Sequence, residues 1–206
     1  MEKLNKNQFT NVLKDVRASY RLLALYQKRL LDVITFVGNS YNVNFYGGWA
    51  KFSNSAAHAT RAKIDRWSWD WLSMYLYEFN MGEIGKETDI DKYHFRIVHQ
   101  ADTGFFDAND SKKIGKNDID QFEHLEASTT RLFFVISKNE NYCPLLGVLN
   151  ENLSSASNKA IVKGNWLAVP YNMERFINQK ATDLVLKDFN EVCKATFNIE
   201  LSNQVF

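Results

Sequence analysis

The stretch Arg66–Met81, RWSWDWLSMYLYEFNM, constrains this chain more than any other part of it. Read at every second residue, Trp67, Trp69, Trp71, Tyr75, Tyr77, Phe79 and Met81 fall on one side, interrupted by Ser73. Ser68, Asp70, Leu72, Met74, Leu76, Glu78 and Asn80 fall on the other. Period two is the signature of a strand, and aromatic side chains suit a pleated, half-buried surface. Each aromatic ring buries about 150–250 Å², so such a strand needs a large core around it. A helix over the same residues would be apolar all round, and the strand is the preferred reading.

The rest of the chain can supply that core. It carries 15 Phe, 9 Tyr and 5 Trp, and 45% of its 206 residues are hydrophobic. This excludes a disordered chain and fits one domain, residues 1–206. The net charge of +1 gives no global reason to expect a nucleic-acid or membrane partner. The charge is uneven: residues 1–66 hold eleven Lys and Arg against four acids, and residues 78–126 hold twelve acids against six bases. Cys143 and Cys193 are the only cysteines, too few for a disulfide framework or a zinc knuckle. The most apolar run, Leu22–Val37, contains Lys28, Arg29 and Asp32 and is too short to cross a bilayer. A soluble, cytoplasmic protein is expected. Frequent Asn and a preference for Lys over Arg suggest an AT-rich bacterial or phage source.

The first element is a long helix over Asn7–Val37. Phe9, Leu13, Val16, Tyr20, Leu23, Leu30, Ile34 and Val37 recur at three-, four- and seven-residue steps, an amphipathic stripe. Lys14, Arg17, Arg21, Lys28 and Arg29 make the other face basic, and Gly38-Asn39 supplies a stop. The stripe is long enough for a coiled-coil seam of about four heptads. Leu25, Leu31 and Val33 widen it, which favours packing across a sheet. A short strand is expected around Val43, Phe45, Trp49 and Phe52, with Gly47-Gly48 as a turn or bulge. Further strands are expected over Tyr93–Gln100, Arg131–Ser137 and Trp166–Val169, the last ended by Pro170. A short helix fits within Leu145–Ala156, and a second amphipathic helix spans Met173–Thr196. This order predicts an α+β fold: a mostly antiparallel sheet of about 4–6 strands, packed by the N-terminal and C-terminal helices.

Several stretches resemble chemical signatures and fall short of them. Asp102-Thr103-Gly104 with Leu145-Leu146-Gly147 imitates an aspartic-protease pair, but the flanking residues are wrong and a strand-end turn is the better reading. Gly82-Glu83-Ile84-Gly85-Lys86 has the wrong spacing for a P-loop, and Glu87 stands where Ser or Thr belongs. Asp107–Asp118 places oxygen ligands like an EF-hand, with Lys112 where the bend needs Gly. His94 and His99 would face opposite sides of a strand; His124 and Glu126 with His99 or Asp102 make a weak zinc set. No metal site and no cofactor is assigned.

Three functional readings follow. The favoured one is a binding protein whose partner is another protein, with a second copy of itself, as a homodimer, among the candidates. The second is a metal-dependent hydrolase of nuclease type, with Glu78, Asp102 and Lys138 converging from three strand ends. The third is a single-stranded nucleic-acid binder that stacks bases on Trp49 or Trp67 beside Lys51, Arg61, Lys63 and Arg66. Catalysis is not favoured.

Overall fold

The computed structural model describes residues 5–54, 68–84, 90–111, 113–140, 149 and 152–201. Residues up to Phe36 form one compact unit and residues from Val37 onward form another.

The first unit is helical. Helix α1 spans Lys6–Ser40 and so continues into the second unit. Its start is fixed by a reciprocal cap: the Gln8 N–H donates to the Asn5 side chain at 3.0 Å, and the Asn5 N–H donates to Gln8 Oε1 at 2.9 Å. That pair satisfies two of the N–H groups a helix start leaves unbonded. The end of α1 differs from expectation. The helix passes through Gly38-Asn39, and Asn42 adopts the left-handed conformation instead, at φ 53°. The Val43 N–H then bonds back to the Gly38 carbonyl at 2.9 Å, a closing pattern typical of helix ends. Gly38 serves another purpose. A β-carbon there would lie 2.9 Å from both Met81 Cε and the Val43 carbonyl oxygen.

The second unit is built on a sheet. Among the described residues it has six strands: β1 Gly47–Ala50, β2 Leu76–Ile84, β3 Tyr93–Gln100, β4 Arg131–Lys138, β5 Ile161–Lys163 and β6 Trp166–Asn172. Their order is β1-β2-β3-β4-β6-β5, and every neighbouring pair is antiparallel. Helix α2 covers Gly104–Ser111 and helix α3 covers Gln179–Phe197. The fold is therefore α+β, with an antiparallel sheet, a long N-terminal helix and a C-terminal helix. The two rims of the sheet, β1 and β5, are four and three residues long.

Alternation along β3 and β4 divides the core into two layers. On one face Phe95 and Phe134 meet Phe189 of α3, with Tyr41 against Phe95 and Phe189. Asn178 caps α3 by accepting from the Ala181 N–H at 2.9 Å, which splits the expected Met173–Thr196 helix from a 3-10 turn at Met173–Phe176. The other face is covered by loops. There Leu76, Val98, Phe133, Val135, Trp166 and Ala168 pack with Phe52, Trp69, Leu149 and Leu153.

The aromatic stretch divides between these layers. Only Leu76–Ile84 is strand; Ser68–Trp71 and Ser73–Tyr75 are turns of 3-10 helix. Trp69 and Tyr75 pack on Phe52 in the loop layer, and the Trp69 indole N–H donates to the Lys116 carbonyl at 2.8 Å. Arg66 and Trp67 lie outside the described residues.

Two other expectations need correction. The Gly47-Gly48 pair begins β1 rather than turning it, and Gly48 is needed because the Tyr77 ring lies over it, 2.5 Å from where a β-carbon would sit. Strand β6 runs through Pro170. The Met173 N–H bonds to the Thr130 carbonyl, and by alternation Pro170, opposite Phe133, points its nitrogen away from β4. β5 pairs only with residues 166–168, so the missing N–H costs no ladder bond. Half of the stretch Leu145–Ala156, where a short helix is expected, falls outside the described residues, and Asn152–Ala156 within it are not helical.

Candidate interaction surface and the buried polar clusters

Every residue of α1 from Lys6 to Leu25 is exposed. Within that span Phe9 is 51% exposed, Leu13 40%, Val16 42%, Tyr20 69% and Leu23 41%. Their spacing is four, three, four, three. This makes Leu13 and Tyr20 the a positions, and Phe9, Val16 and Leu23 the d positions, of a heptad pattern. The ridge runs for about 21 Å from Phe9 to Leu23 at 1.5 Å per residue. Lys14 and Arg21 share the b position, away from the seam, and Arg17 lies on its flank at an e position. In water such a helix gains little from its apolar residues, since most helical stability comes from packing of an amphipathic face. Among the described residues no helix is long and apolar enough to cross a membrane.

The proposed hydrolase residues are not brought together. Glu78 lies mid-sheet on the loop face, opposite Val98. Its carboxylate meets Lys51 Nζ at 2.7 Å and Arg96 Nε at 3.1 Å. Asp102 lies past the end of β3, where Oδ1 accepts from the Gly104 N–H at 2.8 Å and Oδ2 from the Tyr75 hydroxyl at 3.3 Å. Asp102-Thr103-Gly104 is the turn that leads from β3 into α2. Lys138 is opposite Tyr93, five residues along β3 from Val98, or roughly 17 Å. Alternation directs it to the other face. It pairs with Asp91 at 2.7 Å, which raises the lysine pKa and, with Asn139, lowers that of the aspartate. Among the described residues no three His, Cys, Asp or Glu gather as a metal site would require.

The resemblance to a calcium loop also resolves into structure. Asp107 lies in α2 and accepts from the Ser155 N–H at 2.6 Å, Asn109 accepts from the Ile114 N–H at 3.2 Å, and Asp118 from the Gly115 N–H at 2.8 Å.

Of the nucleic-acid candidates, Trp49 is 52% exposed, with Lys51 Nζ 5.7 Å from its ring centroid. Lys51 is already held by Glu78. Arg61, Lys63, Arg66 and Trp67 lie outside the described residues.

Two buried polar clusters were not anticipated. In one, the Glu78–Arg96 pair continues through Arg96 Nη1 to Ser137 Oγ at 3.2 Å, Ser137 to the Glu140 carbonyl at 2.7 Å, and the Glu140 carboxylate to the Trp166 indole at 2.5 Å. The other centres on Arg131, which is 1% exposed. It donates to Gln100 Oε1 at 2.8 and 3.1 Å and to the carbonyls of Leu153 and Ser157 at 2.9 Å each. Burial pushes its pKa down to about 10, against the pull of Asp107. This cluster pins the segment after residue 152 across the end of the sheet. In sequence, Arg96 and Arg131 look like ordinary strand charges; only the register pairing Asn80 with Arg96 and Gln100 with Arg131 reveals their partners.

His99 is fully buried, and its Nδ1 lies 2.8 Å from the Met74 carbonyl, which can only accept. Burial pulls its pKa down from 6.5 to about 4, partly offset by that hydrogen bond. Between those values the unfolded chain holds a proton that the folded chain does not. Stability therefore falls as pH drops through this window, by on the order of 3 kcal/mol. Urea unfolding at pH 7 and pH 4.5 checks this: His99→Gln should lose much of the difference, and an equal pH slope in both proteins would reject it.

A family model described as PM0109 matches residues 6–199. No curated protein and no solved structure matches the chain.

Proposed function

The chain belongs to the PM0109 family, and we propose that it works by binding protein, through the exposed apolar stripe of α1, with the same stripe of another copy as its partner. The observation that carries this reading is the unbroken four-three spacing of exposed apolar residues from Phe9 to Leu23. A seam of that period matches a second helix of the same period, knob into hole. The charges allow it. Lys14 and Arg21 point away from the seam, and the g positions that would face Arg17 in a parallel pair are Val12 and Ser19. No like charges meet across the join. We place this protein in the cytoplasm: Cys193 is a buried free thiol whose pKa burial pushes up to about 12, a form that suits a reducing compartment.

Sedimentation velocity on the full chain tests the reading. Wild type is expected to sediment as more than one 23.9 kDa chain at micromolar concentration. Leu13→Glu, which puts a charge in the seam, should weaken association at least tenfold, about 1.4 kcal/mol. All five Trp lie beyond residue 37, so an unchanged emission spectrum will show that the sheet unit is intact. A wild-type protein that stays monomeric at tens of micromolar rejects the proposal.

A further inference from the structure

Resting on that reading, we infer that α1 closes a parallel bundle of three or four chains rather than a two-stranded coil. The first reason is the width of the stripe. Val12, Leu23, Val16, Phe9, Tyr20, Leu13 and Ala24 follow one another around the helix over an arc of roughly 120° at 100° per residue. A two-stranded seam uses only the narrow a and d line, whereas an apolar face of 100° or more is what a helix in a bundle presents. Val12, at a g position, is 44% exposed and would stay wet beside a single partner helix.

The second reason is the choice of residues. β-branched residues at a with Leu at d favour two strands, while Leu at a with Ile at d shifts preference to three or four. The heptad with Leu13 at a puts Val16, β-branched like Ile, at d, nearer the second arrangement. The third reason concerns direction. Arg17 lies on one flank of the stripe and Asp15 beyond the other. In a parallel ring each helix turns its Arg17 flank toward the opposite flank of its neighbour, the side that carries Asp15. In an antiparallel pair the Arg17 flanks of the two copies would face each other. Gln27, at the next a position, would meet its own copies at one level in a parallel bundle, and a polar residue at a sets register.

Light scattering coupled to size exclusion, with native mass spectrometry on the full chain, decides the number. The expected mass is three or four times 23.9 kDa, and Val12→Lys should reduce it to a dimer or a monomer. A wild-type dimer overturns the bundle and leaves the self-association proposal standing. A wild-type monomer overturns both. A monomer that also co-floats with phosphatidylserine vesicles assigns the stripe to a lipid surface. An oligomer unaffected by Val12→Lys overturns the argument from stripe width. For direction, Lys6→Cys places a thiol at an a position near the helix start. Mild oxidation should link most chains through it if they run parallel, and a cross-linked yield no greater than that of wild type rejects the parallel arrangement.

Discussion

Replacing Glu78 with alanine is expected to lower the stability of the sheet unit by about 3–5 kcal/mol, the usual cost of breaking a buried ion pair from one side. The Glu78 and Arg96 side chains are each 2% exposed, and Lys51 meets the same carboxylate at 20% exposure. Without Glu78 the Arg96 guanidinium keeps its hydrogen bond to Ser137 and its place 5.5 Å from the Trp166 ring centroid, but it loses the Glu78 carboxylate at 3.1 Å. Lys51 can turn toward water; Arg96, mid-strand under the loop layer, cannot. The double variant Glu78→Leu with Arg96→Met should recover most of the loss, because a well-packed apolar pair often equals a buried ion pair. Urea unfolding of the single and double variants measures both effects. A Glu78→Ala cost below about 1 kcal/mol would mean that the pair behaves as a surface salt bridge.

The second large effect is expected on the opposite face. Phe134 is fully buried, and its ring centroid lies 5.3 Å from those of Tyr171 and Phe189, 5.6 Å from Phe95 and 5.9 Å from Phe176. It is the ring that β3, β6 and α3 share. Phe134→Ala should cost about 3–5 kcal/mol, the lost transfer energy plus the cavity. Phe134→Leu, which keeps most of the volume, should cost under about 1.5 kcal/mol. The same unfolding assay applies. Similar costs for Ala and Leu would show that the neighbouring rings collapse into the space.

The elements most legible in sequence were those whose pattern and environment agree. Arg131–Lys138 is an apolar run and proves buried from end to end but for Lys138. Tyr93–Gln100 is buried on both faces, and its β-branched and aromatic residues carried the reading. The α1 stripe was legible as a period but not in its environment: packing across the sheet was the favoured reading, and Phe9 to Leu23 are exposed instead. The Trp67–Met81 alternation misled because parity counts as one face what the fold divides into two layers. Tyr75 belongs to a 3-10 turn and packs with Phe52 and Trp69, while Tyr77 and Phe79, two and four residues on, meet edge to face on the strand. The Arg96 and Arg131 clusters were not legible because their partners come from strands and loops whose register no local pattern fixes. Gln100 and Leu153, for example, meet only when a segment 53 residues away folds back over the sheet.

The shortness of β1 and β5 has a consequence for the self-association proposed above. Chains tethered through their first helices would share a local concentration in the millimolar range. At such concentrations an open sheet rim is a template for runaway fibre growth. Edge strands of four and three residues, one ending against Lys51 and the other carrying Lys163, offer a neighbour few backbone groups, and where β6 runs on past β5, Pro170 supplies no N–H. Under the proposed self-association the sheet would be crowded without polymerising, and association would be left to the helix.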